Sequence, residues 1–190
     1  MRIAADYHTH TIHSHGTGTV LDNLKAAAAK GLKEVAISDH GPANLFGIGT
    51  KGIDTFRQIR AEMEAAAQLV PNVRGLLGVE ANILSVDGRL DISEEDLEIF
   101  DVVQAGLHIL VNPGSLRDGL QLTLPNVVGR YFKRTKVAMR DRNTQAVIAA
   151  LHRYPIDILT HPGLRVDIDT KAIAYHCAQR GTLMVINSSH

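Results

Sequence analysis

Short β-branched apolar runs alternate along this chain with longer stretches in which apolar residues recur every three to four positions. Runs of the first kind read as buried strands and stretches of the second as amphipathic helices, so the alternation predicts βα units and a largely parallel sheet. Strands are expected over 2–8, 34–40, 73–83, 100–108, 156–162 and 182–187, and helices over about 20–31, 54–69, 143–153 and 169–180. The first helix should open near Thr19 and stop at Gly31, a residue suited to the left-handed position after a helix. Asn143 is placed to cap the third helix, with Pro155 just past its end. Between Val111 and Arg142 the periodicity fails. That stretch is long for a connection, carries prolines, glycines and a basic run, and reads as an insertion or lid over 111–142 of a single domain spanning 1–190.

Composition narrows the class more than the function. At 190 residues, 45% hydrophobic and 21% charged, the chain can bury the core of one globular domain. Twenty basic residues balance twenty acidic ones, so no global pull towards nucleic acid or anionic membrane is expected. The single cysteine, Cys177, forms no internal disulfide, and charge and histidine arrive too early for a signal-peptide core. No apolar run is long enough to span a membrane. A soluble, cytoplasmic protein is the expectation.

The candidate chemistry lies in the histidines. The chain has ten, and four of them, His8, His10, His13 and His15, fall within eight positions in "DYHTHTIHSHG". His8 and His10 follow the first predicted strand, His40 ends the second, Glu80 lies at the end of the third, His108 closes the fourth and His161 the fifth. In a parallel α/β sheet or barrel all strand C-termini share one face, and that face carries the active site. Residues more than 150 positions apart therefore converge. A lone histidine is far more often a packed or surface group than a ligand, but the same end of five strands is a different matter.

Imidazoles with a carboxylate suit zinc, manganese or iron better than calcium or magnesium alone. Zinc takes about four or five ligands, so this set implies two or more ions with Glu80 available as a bridge. Side chains at i and i+2 of an extended segment point the same way, which lets His8 and His10 grip one ion. His15 sits on a loop that can fold over the site. His13, on the same loop without a strand end to place it, is expected in solvent. His152 and His176 fall in helices and read as structural or exposed, and His190 as a fraying terminus. Asp39 is expected to accept the free N–H of a ligating imidazole, with a salt bridge or helix cap as the alternative. Arg130, Lys133, Arg134 and Lys136 are either an anion clamp or a solvated face. No Gly-x-Ser-x-Gly elbow or phosphate-cradling loop is present, and Cys177 lies far from the cluster, in a predicted helix.

The pieces "DYHTHTIHSHG", "ISDHGP", "GVEANILSVDGRLDIS", "AGLH", "NTQAVIAAL", "LTHPG" and "VINSS" occur in the order seen in the PHP (polymerase and histidinol phosphatase) family. Over nearly its whole length, apart from about 111–142, the chain resembles that family, above all the small stand-alone bacterial members grouped with histidinol phosphatases. The resemblance implies a distorted TIM-like barrel of seven βα units, here lacking the last, with a trinuclear zinc, manganese or iron site in its mouth. It implies that His8, His10 and Glu80 hold one ion, Glu80, His108 and His161 a second, and that His15 and His40 belong to a third. The family also carries an Asp-x-His after a further strand, whereas this sequence stops at "VINSSH", so two ligands are missing and a truncated piece of a longer enzyme is expected.

The implied activity is metal-dependent hydrolysis of a phosphate ester, most simply a monoester of a small soluble substrate. The cations would neutralise phosphoryl oxygens and lower the pKa of a water, with Glu80, His108 and His161 at the centre of the chemistry. Three alternatives stand beside it. One is phosphodiester cleavage on nucleic acid, as in exonuclease-like members. Another is an amidohydrolase, which typically needs a lysine bridge where this chain offers Glu80. The third is a non-catalytic metal-binding accessory module.

Overall fold

The computed structural model describes residues 3–129 and 131–186. Its frame is a six-stranded sheet in the order β1 (Ala5–Thr9), β2 (Glu34–Ile37), β3 (Arg74–Asn82), β4 (Val102–Gly106), β5 (Ile158–Leu159) and β6 (Leu183–Met184). Every neighbouring pair is parallel. In the middle of the sheet β3 and β4 are buried almost end to end, as strands covered on both faces must be.

The sheet is curled. His8 on β1 and His161 just past β5 are four strand spacings apart, roughly 19 Å across a flat sheet. Their ring centroids are 6.1 Å apart. Lower in the curl the Gln104 amide on β4 donates both to the Tyr7 carbonyl of β1 and to Ser38 Oγ, the latter at 2.8 Å. The architecture is thus a parallel half-barrel of six strands.

Helices α1 (Val20–Ala29), α2 (Ile53–Leu69), α6 (Arg140–Arg153) and α7 (Thr170–Arg180) correspond to the four predicted from periodicity. In α1, Thr19 forms a capping box with Asp22, Val20, Leu24 and Ala27 make the buried stripe, and Gly31 follows at φ 72°. Asn143 does not cap α6, which begins three residues earlier; it is buried inside the helix. Its amide pairs reciprocally with that of Asn126 at 2.7 and 2.9 Å and donates to the Asp167 carbonyl at 2.9 Å.

The segment 111–142 is largely helical: α3 (Leu116–Asp118), a π-helical turn (Gly119–Thr123), α4 (Leu124–Gly129) and α5 (Lys133–Ala138). It is tied to the frame by the Arg89–Asp118 ion pair and by the Asn126–Asn143 amides. The predicted strands are longer than those observed at 34–40, 100–108 and 156–162, where the chain leaves the ladder to carry His40, His108 and His161 into the mouth, and in the last predicted strand only Leu183–Met184 pair among the described residues. His161 itself has φ 27°, outside any strand. Among the described residues no helix is long and apolar enough to cross a membrane.

Candidate metal centre

Parallel pairing delivers the predicted residues to one end of the curl. His8 sits on β1 and His10 one residue past it, so both rings face the mouth, with Nε2 atoms 3.2 Å apart. The chain then turns tightly, with Ser14 and Gly16 N–H both donating to the Thr11 carbonyl. This turn brings the His15 ring to 4.4 Å from that of His10 and 4.9 Å from that of His40. His40 follows β2 and bridges in parallel to Glu80 on β3. His108 and His161 follow β4 and β5, their Nε2 atoms 3.3 Å apart.

Glu80 is the hub. Its Oε2 lies 3.2 Å from His8 Nε2, 3.5 Å from His10 Nε2 and 3.2 Å from His40 Nδ1. Its Oε1 lies 3.3 Å from His108 Nε2 and 2.8 Å from His161 Nε2. Each carboxylate oxygen therefore faces its own set of imidazoles. Donor atoms fall within 4.8 Å of one another in three overlapping groups: His8, His10 and Glu80; His40, Glu80 and His108; and His10, His15 and His40.

The electrostatics suit cation capture. Burial alone would raise the Glu80 pKa, but hydrogen bonds from the His108, His161 and His8 rings outweigh it and hold the carboxyl well below its usual range. Burial lowers His10 to about 4 and His40 to about 3, so both stay neutral at pH 7 with lone pairs free. His8 is also pushed down by burial, yet its hydrogen bond to Glu80 prevails and raises it. The buried Nδ1 atoms of His10 and His40 have no hydrogen-bond partner.

Asp39 departs from expectation. Its approach to an imidazole, His10 Nδ1, is 3.8 Å, too long for a hydrogen bond. It accepts instead from Thr11 N at 2.7 Å, Thr11 Oγ1 at 2.5 Å and Ser14 Oγ at 2.5 Å, and so fixes the loop that carries His15. His13, expected in solvent, is partly buried with Nε2 3.0 Å from both Glu62 carboxylate oxygens. His152 and His176 are an exposed pair with ring nitrogens 2.9 Å apart, remote from the cluster. His190 and Arg130 lie outside the described residues.

A cleft of about 440 Å³ opens over the cluster, walled by Ile48, Leu107, Leu110 and Leu164. No residue of 112–142 lines it, and Lys133 and Arg134 are exposed elsewhere, a solvated face. The cation at its rim is Arg165, an exposed residue at φ 62° that the sequence pattern did not single out. Asn82 was missed as well, although its place two residues after Glu80 on an extended strand puts it on the same face. Its Oδ1 lies 2.7 Å from His108 Nδ1.

The chain is 31% identical over 191 residues to a probable phosphatase of Caldanaerobacter subterraneus subsp. tengcongensis, covering 100% of this chain and 64% of that protein. It is 31% identical, again over its full length, to a probable phosphatase of Shewanella baltica, of which it covers 63%. The chain thus spans a little under two thirds of the length of these curated relatives. In structure it is similar to the histidinol phosphate phosphatase of Lactococcus lactis, solved with zinc, L-histidinol and phosphate. That match has a TM-score of 0.60 at 17% identity and covers 97% of this chain and 73% of the other. The profile of the PHP domain matches residues 6–184, nearly all of the curl and its mouth, and the chain belongs to the PHP domain family.

Proposed function

We propose that this chain carries the centre of a metal-dependent phosphatase: His8, His10, His15, His40, Glu80, His108 and His161 hold two to three divalent cations and act on a small phosphate monoester. The observation that carries the reading is Glu80, a buried carboxylate with three imidazoles on one oxygen and two on the other. Such a group is built to be shared between ions rather than to end in one salt bridge. The donor chemistry fits: neutral imidazoles, a single ionised carboxylate and buried ring nitrogens without hydrogen-bond partners select zinc, manganese or iron. The zinc in the Lactococcus neighbour supports the same choice. His8, His10 and Glu80 form one set, Glu80, His108 and His161 a second, and His15 with His40 and the adjacent His10 a third.

When bound, such ions supply Lewis-acid neutralisation of phosphoryl oxygens and an activated water at neutral pH. The chain itself does the rest. Glu80 keeps opposite charge between the donor sets, and Arg165 at the rim offers a guanidinium to the anionic ester as it enters. Leu107, Leu110 and Ile48 wall off water and leave room for an organic group of modest size. The volume and the absence of a basic track among the lining residues favour a small substrate over a polynucleotide, as do the L-histidinol and phosphate bound by the neighbour. The probable phosphatase relatives support the same class of reaction.

The test is metal analysis of the purified chain, together with hydrolysis of p-nitrophenyl phosphate and of single-stranded DNA before and after chelation. Two to three equivalents and chelator-sensitive release of p-nitrophenol are expected. Hydrolysis of DNA alone would move the substrate class, and a protein that takes up no metal would end the reading.

A further inference from the structure

We propose that Asn82 and Asp91 are positioning residues of this centre: acting in series, they fix the tautomer of His108 so that Nε2, and not Nδ1, is offered to Glu80 and the cation. The inference rests on the metal reading above. It follows from a chain of donors and acceptors in which each assignment forces the next. Asn82 Nδ2 lies 2.6 Å from Asp91 Oδ2 and 2.5 Å from Asn44 Oδ1. A carboxylate can only accept, so the Asn82 amide must turn its NH₂ towards Asp91. Its Oδ1 is then left facing His108 Nδ1 at 2.7 Å. A carbonyl oxygen there demands a proton on Nδ1. With Nδ1 bound to that oxygen through its hydrogen, Nε2 is the nitrogen whose lone pair is left for a cation.

Asp91 is placed for this by several independent contacts. It also accepts from the Asn82 backbone N–H at 2.7 Å and from the Ala43 N–H at 3.0 Å. One carboxylate thus holds both the end of β3 and the loop that follows His40. It reaches that position because 83–91 folds back on itself, with Ile83 and Leu90 bridged antiparallel and Gly88 at φ 80° in the turn. Gly41 leaves the space: a Cβ there would meet Asp91 Oδ2 at 2.3 Å. Every hydrogen-bond role of the Asp91 carboxylate is that of an acceptor, so an amide in its place presents two protons to donors.

The experiment compares wild type with N82A, D91N and the double variant N82D/D91N. The double variant restores a donor facing an acceptor between the two positions. Zinc affinity is measured by chelator competition, and the His108 side-chain nitrogens are read by ¹⁵N NMR in the metal-free protein at mildly alkaline pH. We expect His108 protonated at Nδ1 in wild type and mixed or reversed in N82A and D91N. Zinc affinity should be about 10- to 100-fold weaker in the single variants, with part of the loss recovered in the double variant. A purely structural role would lower the melting temperature and leave both readouts alone. His108 remaining Nδ1-protonated in N82A and D91N, with zinc affinity unchanged, overturns the inference. A wild type that binds no zinc overturns the metal reading, while the NMR arm still decides the tautomer.

Discussion

Glu80→Gln is the substitution that separates a shared carboxylate from an ordinary buried ion pair. Glutamine keeps the length and volume of a side chain that is 1% exposed, so packing scarcely changes. What changes is the chemistry of its two ends. In the wild type five imidazole nitrogens lie within 3.5 Å of the carboxylate, three on Oε2 and two on Oε1. Glutamine can turn an acceptor oxygen to one set only, and its NH₂ then points protons at the other, where a cation is proposed to sit. Removing a mere supporting residue typically weakens metal binding about 10- to 100-fold, so losing the bridge itself should cost at least about 100-fold at one set, or about 2.7 kcal/mol. If charge neutralisation supplies about 3–4 kcal/mol of the barrier reduction, turnover should fall by roughly 10² to 10³. Metal equivalents and p-nitrophenyl phosphate turnover are measured on the same preparation, with a circular dichroism melt to show that the fold survives. A variant with full metal content and wild-type turnover refutes the bridging role.

Four other outcomes follow from the same geometry. Arg165→Ala should raise KM for a phosphate monoester about tenfold while metal content stays the same, since the guanidinium lines the cleft but offers no donor to the grouped imidazoles and carboxylate; an unchanged KM would remove it from substrate binding. Asp39→Ala should release the loop that carries His15, leave buried Thr11 donors unpaired and cost about 2 kcal/mol with one metal equivalent lost, read by urea unfolding and metal analysis; retention of that equivalent would argue against it. Gly88→Ala puts a Cβ at φ 80° and 2.2 Å from Ala150 N in α6, so the unfolding midpoint should drop by an amount equivalent to about 2 kcal/mol or more; an unmoved midpoint would contradict this. For Asp101, burial would raise the pKa, but the Arg60 ion pair and the Leu77 N–H outweigh it and lower the pKa below 3.8. Its folded pKa is thus below its unfolded one, so its stabilisation is present above the unfolded value and fades as pH falls through the folded one. The stability gap between wild type and D101N should therefore close on acidification from about pH 5 to about pH 3, and a constant gap would show that the carboxylate is not the source.

What the sequence made legible was whatever depends on period and on strand ends. Thr19, Gly31 and the 3.6-residue stripe of α1 are local signals, and the structure places them where the pattern put them. The convergence of His8, His10, His40, Glu80, His108 and His161 needed only the rule that parallel strands finish on one side. Illegible were the roles set by a distant partner. Asn143 ahead of an apolar run looks the same whether it caps a helix or pairs with Asn126, 17 residues away in a stretch of no clear period. His13 has its Glu62 partner 49 residues on. The stretch 111–142 hid its helices because the π-helical turn at Gly119–Thr123 shifts the phase, and Pro125 in the first turn of α4 reads as a breaker although it offers no N–H to Gln121. Arg165 reaches the cleft through a positive φ that no propensity announces.

The curl and the chemistry turn out to rest on the same residues. Alternation along a strand puts Leu76, Gly78 and Glu80 on one face of β3, and Val102 and Gln104 on one face of β4. That face is the concave one, because the Gln104 amide spans it to reach the Tyr7 carbonyl and Ser38 Oγ. A Cβ on Gly78 would lie 2.3 Å from Ser38 Oγ, so the strands close up there only because the glycine is bare. Large apolar side chains in this layer would overpack it, push the strands apart and carry His8 away from His161, whose ring centroids are now 6.1 Å apart. The small and polar layer beneath Glu80 is therefore not a weakness in an otherwise apolar core. It is the condition under which donors on β1 and past β5 can face opposite oxygens of one carboxylate.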